Sequence, residues 1–219
     1  MGLGSFVVGA AVDAAAKQAD MNNRLKGRTP DQQKVIKYFY QSSGCFDKCL
    51  TDQEYESMVM AKAKSMDFKK KALDKIGLDE SQVNEVAPIH FEDYWFDSKT
   101  FQFQGKDRVW RSSAYQITWI FFSSTQVYVY QYTFNMYEDA KKEKTEEYFY
   151  KDITNISTDS DTIEIDALVK KGEWKRISVD VNRFMLSAMG DKFYCSMQQN
   201  DYTEKAIQGM KAKLREKKG

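Results

Sequence analysis

Tyr128, Tyr130, Tyr132 and Phe134 recur at every second position, with Val127 and Val129 on the alternate ones. An extended chain puts residues two apart on one side; a helix would scatter them around its axis. The neighbouring Trp119-Ile120-Phe121-Phe122 and Tyr148-Phe149-Tyr150 continue the β-branched and aromatic bias of a pleated, half-buried surface. The stretch from Trp119 to Thr158 therefore predicts the middle of an antiparallel sheet, and the remaining segments must be arranged around it.

Upstream of Pro88 the apolar period is helical. Thr29-Pro30-Asp31-Gln32 reads as a capping box with proline at the first helical position, and Val35, Ile36 and Phe39 supply an apolar face. Gly44 is the expected stop. Thr51-x-x-Glu54 opens a second helix, with Tyr55, Met58, Val59, Ala63 and Met66 at three-four spacing. Phe68 to Ile76, ending at Gly77, makes a third, and Asp79-x-x-Gln82 caps a short helix through Val86. Before these lie a small-residue segment over 4–20 and a polar linker over 22–28.

From Pro88 the period becomes two, predicting strands over 89–96, 100–104, 108–113, 115–123, 126–134, 146–153, 162–167, 174–181, 183–188 and 192–196. Turn signals separate them at Gly105-Lys106-Asp107, Ser123-Ser124, Lys171-Gly172 and Gly190-Asp191. Asp201-x-x-Glu204 then caps a last helix whose stripe of Ala206, Ile207, Met210 and Leu214 must cover something, and the open end of a curled sheet is the natural target. The expected fold is α+β, divided as 1–28 (small-residue segment and linker), 29–87 (helical region) and 88–219 (β-domain with its closing helix).

Composition narrows the function classes. Lys and Arg number 33 against 32 Asp and Glu, a formal net charge of +1, so no overall field selects nucleic acid or an acidic membrane. Charge is uneven locally, with an acidic run over 78–97 and a basic tail from Thr203. Three cysteines imply no disulfide framework and make a reducing, cytoplasmic setting the expectation. No apolar run approaches the roughly 20 residues a bilayer span requires. Residues 3–16 would serve either as a seam for self-association or as a membrane-surface anchor.

The chemistry-bearing residues are few. Cys45, Cys49, Cys195 and His90 have the donor types of a closed tetrahedral zinc site, but they come from three distant segments and His90 alternates with Ile89 and Phe91 in a strand pattern. No cofactor is therefore expected. A single histidine, with no Gly-x-Ser-x-Gly elbow and no Gly-x-x-x-x-Gly-Lys loop, gives no support to catalysis. The tyrosines Tyr128, Tyr130 and Tyr132 are candidates for a protein contact surface; without interleaved Lys and Arg they do not suit nucleic-acid stacking. Lys106, Arg108 and Arg111 are the candidate cations for an anionic lipid headgroup.

The order of meander, second meander and closing helix resembles the layout of pleckstrin-homology-like domains. Tyr148-Phe149-Tyr150-Lys151-Asp152-Ile153-Thr154-Asn155-Ile156 is similar to the aromatic–x–acidic–Ile strand of bacterial PH-like and GRAM-type domains, where the chain kinks at the acidic residue and buries the next aliphatic. Asn182-Arg183-Phe184-Met185-Leu186 and Asp191-Lys192-Phe193-Tyr194-Cys195, followed by a helix, resemble the last strands of that family. The likeness covers about residues 110–217 and implies a bacterial, non-enzymatic binding or assembly module built on a β-barrel or sandwich. It implies a protein partner or self-association first, and peripheral attachment to membrane lipid second.

Overall fold

The computed structural model describes residues 15, 16, 18–40, 49–169 and 173–218, with the backbone alone for 167–169 and 173. The small-residue segment up to residue 14, Gly44, Cys45 and the Lys171-Gly172 turn lie outside them. Among the described residues, four α-helices precede the first strand: α1 over 18–25, α2 Pro30–Tyr40, α3 Asp52–Ser65 and α4 Phe68–Ile76. The expected caps are in place. Gln32 N–H donates to Thr29 Oγ1 at 3.3 Å, and Thr29 N–H donates to Gln32 Oε1 at 3.0 Å. Thr51 and Glu54 exchange the same pair of bonds. At the end of α4, Gly77 takes φ +80° and its N–H donates to Leu73 O at 2.8 Å, the left-handed termination that glycine permits.

Three expectations for this half are corrected. The polar run from Asn22 is helical to residue 25, because Met21 and Leu25 turn inward onto the core. The helix expected through Val86 is a single turn, Glu80–Gln82. Strand β1 then starts at Val86 and runs to Trp95, with Pro88 inside it beside a bulge between Val86 and Ile89. Proline is tolerated there because β1 is an edge strand.

The remaining strands are β2 Gln102–Gln104, β3 Trp110–Ser112, β4 Ala114–Phe122, β5 Gln126–Asn135, β6 Lys141–Phe149, β7 Ile153–Val169, β8 Glu173–Ala188 and β9 Asp191–Ser196, and helix α5 Asp201–Lys218 closes the chain. All pairings between strands are antiparallel. A central sheet has the order β1-β4-β5-β6, an outer sheet β7-β8-β9, and β2-β3 forms a separate hairpin. The expected barrel is not closed. After β6 the chain leaves the central sheet through a 3₁₀ turn, Tyr150–Asp152, and β7 pairs only with β8. Ile153, next after the turn, is fully buried.

The central sheet is covered on both faces. On one face Tyr94, Tyr115, Ile117, Phe121, Tyr128, Tyr130, Tyr132 and Phe134 pack with Val35, Ile36, Phe39, Tyr55, Val59, Phe68 and Ala72 of the helices. On the other Ile89, Phe91, Ile120, Phe122, Val127 and Val129 pack with Phe184, Leu186, Phe193 and Cys195 of the outer sheet and with Ile207 and Met210 of α5. Helices and strands therefore share one core across residue 88. Tyr128, Tyr130 and Tyr132, expected as a contact surface, are 9%, 0% and 4% exposed. Their alternation lines a buried face because the helical layer lies on it, so these three rings are core.

Strands β7 and β8 pair from Ile153↔Ala188 to Val169↔Glu173, with one bulge between Ile153 and Asn155, well beyond the end of β9. Near the base Ile156, Phe184 and Leu186 are the buried positions; farther out Ile165 and Val179 are, on the opposite face by strand alternation. The ribbon thus changes its buried face midway, as a strongly twisted two-stranded ribbon does. That change of phase explains why the period-two pattern predicts a gap over 154–161 and a break at Asn182 where the strands are unbroken. The charged residues 141–145, which lie between the expected strands 126–134 and 146–153, likewise belong to β6, whose position at the edge leaves most of its side chains exposed. The cap of α5 is Asn200, one residue earlier than expected: Thr203 N–H donates to Asn200 Oδ1 at 3.0 Å.

Candidate functional site: a binding cleft at His90

The corner between α3 and α4, at Met66 and Asp67, stands over the edge of the central sheet and leaves an open cleft of about 550 Å³. Met60, Ala63, Met66 and Phe68 line it from the helices; Ile117 and Trp119 of β4 and His90 and Glu92 of β1 line it from the sheet, with Lys64, Asp67 and Lys69 at the rim. The combination of an apolar floor with a few polar groups is that of a small binding site. Two methionines and a tryptophan give the floor a soft, adaptable surface.

His90 is held by two partners, Trp119 and Tyr202. It pairs across the sheet with Trp119, and the two rings stack with centroids 5.0 Å apart at 27°. Tyr202, from the first turn of α5, lies 5.3 Å from the imidazole on another side. The Tyr202 hydroxyl accepts the His90 backbone N–H at 3.2 Å and sits 3.3 Å from His90 Nδ1. Trp119 also stacks with Phe121, at 6.0 Å and 18°.

Behind this edge, Asp93 faces the outer layer, one residue from Glu92. Burial pushes its carboxyl up to about 6; the Tyr94 N–H it accepts at 2.7 Å pulls the other way. A carboxyl whose folded-state pKa lies above its unfolded value favours the fold at pH below that unfolded value and loses the advantage as pH climbs through the folded one. Stability is therefore expected to fall between about pH 4 and pH 7 by up to about 2 kcal/mol on account of this group. Asp93→Asn should flatten that fall and raise the urea midpoint at neutral pH; an unchanged pH profile would refute the assignment.

The other expected site residues are dispersed. Arg111 is buried, with a side chain 3% exposed, and its guanidinium meets Asp107 at 2.7 Å and Glu56 at 3.3 Å. The Asp107 carboxylate holds that guanidinium above its ordinary pKa, and is itself held down to about 2. Lys106 is tied by its backbone, its N–H donating to Asp52 Oδ2 at 2.9 Å. Arg108 is exposed and takes φ +66°. A Cβ at Gly105 would lie 2.6 Å from both Asp52 Oδ2 and Arg111 Nη1, so the turn glycine serves close approach while Arg108 carries the left-handed conformation. The three expected cations thus form no cluster of free charge, because the buried one is consumed by Asp107, four residues before it, and by Glu56 of α3.

The zinc donors are not gathered either. His90 points to the helical side of the central sheet, while Cys195 is buried in the core on the opposite side, where burial pushes its thiol up to about 12. Cys49 lines a different cleft with Pro30, Gln33 and Lys34, and Cys45 lies outside the described residues. Among the described residues no group of three His, Cys, Asp or Glu is placed to hold a metal ion, and no helix is long and apolar enough to cross a membrane. Neither family models, nor curated proteins, nor solved structures give a match to this chain.

Proposed function

We propose that the chain is a non-enzymatic binding module of PH-like architecture whose cleft at His90 receives an apolar side chain of a protein partner. The architectural part is supported by a four-stranded meander followed by a three-stranded one, closed by α5 through Ile207 and Met210. The β2-β3 hairpin is then an insertion between its first two strands. The single observation that carries the ligand class is the cleft's floor of Met60, Met66, Phe68, Ile117 and Trp119 beneath a rim of both charge signs. A protruding apolar side chain fits the floor, and its polar flanks meet Lys64, Glu92 and the His90 imidazole. An apolar anchor in a desolvated pocket with a polar rim is the usual anatomy of a protein contact.

The test is a peptide-display selection on the immobilised full chain, followed by affinity measurement for the selected sequences. Peptides with an apolar or aromatic anchor are expected. Trp119→Ala should weaken them by more than about tenfold, and Lys64→Glu should shift the flanking-charge preference. Tyr194→Ala, on the outer sheet, should leave binding unchanged. Selected peptides that bind the Trp119→Ala and Lys64→Glu proteins as tightly as the parent would overturn the reading.

A further inference from the structure

The two edges of the central sheet are treated differently. Along β1 the outward backbone is partly occupied: His90 N–H donates to the Tyr202 hydroxyl, Glu92 O accepts Gln198 N–H at 3.3 Å, and Tyr94 N–H is taken by Asp93. Pro88 and a bulge blunt the start of that strand. On the other side β6 has neither proline nor bulge over nine residues. Asn135 N–H donates to Ala140 O and Tyr150 N–H donates to Thr125 O, both at 3.2 Å, at the two ends of the β5–β6 ladder. Antiparallel alternation then turns residues 142, 144, 146 and 148 towards β5 and Lys141, Glu143, Thr145, Glu147 and Phe149 outwards. Among the described residues, none of those outward backbone groups has a hydrogen-bond partner.

The charges of this open edge are segregated. Lys141, Lys142 and Lys144, with Glu143 among them, fall in its first half, and Glu146 and Glu147 in its second, so the halves carry net charges of opposite sign. A strand laid antiparallel on its own copy brings the basic half against the acidic half. We propose that a second copy of this chain pairs along β6 about a two-fold axis at Thr145, joining the two central sheets into one. All five outward residues then find partners. Lys144 of each copy opposes Glu146 of the other, and Lys141 opposes the half-exposed Phe149 ring. The one repulsive pairing, Glu143 with Glu147, is softened because Glu143 already accepts the Tyr130 hydroxyl at 2.7 Å and has Lys75 at 3.6 Å. Such an interface is self-complementary and closed.

Sedimentation equilibrium of the full chain tests it. The parent is expected to be a dimer. Thr145→Pro removes an outward N–H that β5 does not use, and should weaken self-association by more than about tenfold with the far-ultraviolet spectrum unchanged. Lys144→Glu should also weaken it, and the exchange of both charges, Lys144→Glu with Glu146→Lys, should restore it. Lys144 also meets Glu146 of its own copy, so the deciding measurement is an equimolar mixture of the single variants Lys144→Glu and Glu146→Lys: it restores opposite charges between copies alone and is expected to form the dimer that neither variant forms by itself, even where Thr145→Pro disturbs folding. A parent chain that stays monomeric, or a dimer indifferent to these variants, overturns the proposal. Cleft variants such as Lys64→Glu should not move the equilibrium, so this test stands apart from that of the cleft.

Discussion

Replacing Tyr130 with Ser is expected to lower the unfolding free energy by about 3–5 kcal/mol, a large part of what holds a domain folded. The ring is fully buried at the centre of the helical side of the sheet, next to Tyr132 at 6.5 Å and 16°. Its hydroxyl donates to Glu143 Oε1 at 2.7 Å. Serine would empty most of the volume and leave a hydroxyl too short to reach that carboxylate. Tyr130→Phe keeps the volume and removes only the hydrogen bond, which should cost about 1 kcal/mol. Urea denaturation of the three proteins measures both steps. A Tyr130→Ser midpoint close to the parent's would mean that the tyrosine ladder is a surface after all.

Phe184→Ala is expected to be of similar size, about 3–5 kcal/mol. Phe184 is fully buried between the central and outer sheets, 4.9 Å from the Phe91 ring, and it belongs to the core that α5 closes. Val179→Ala, farther out on the same strand and on its other face, deletes less volume and should cost about half as much or less. The ratio tests the change of buried face along the ribbon. If β8 kept one buried face throughout, Val179 would point to solvent and its truncation would be nearly neutral.

Much of the local structure was legible because its causes are local. Thr29 with Gln32, Thr51 with Glu54 and Gly77 each satisfy or terminate a helix end within a few residues. The closing stripe of Ala206, Ile207, Met210 and Leu214 packs as its spacing implies. The misreadings have one common source. The β7–β8 ribbon looked broken because twist moved its apolar residues from one face to the other. Residues 141–145 of β6 looked like a connection between strands because an edge strand can keep charges exposed. The tyrosine ladder looked like a surface because nothing in its own segment tells which layer will cover it. The cleft was hidden for the same reason: Met66, Trp119, His90 and Tyr202 lie on four separate elements, and Tyr202 is 112 positions from the histidine it touches.

From its sequence alone this protein's alternation of helical and extended segments was determined, along with most of their ends, since capping, turn geometry and side-chain period act over three or four residues. Tertiary structure alone decided which face of each strand is buried, which cations are neutralised, which sheet edge stays open and where a cleft remains. Those outcomes depend on which distant elements come to lie against one another, and burial, the quantity that sets them, belongs to the packed layers and to no single segment.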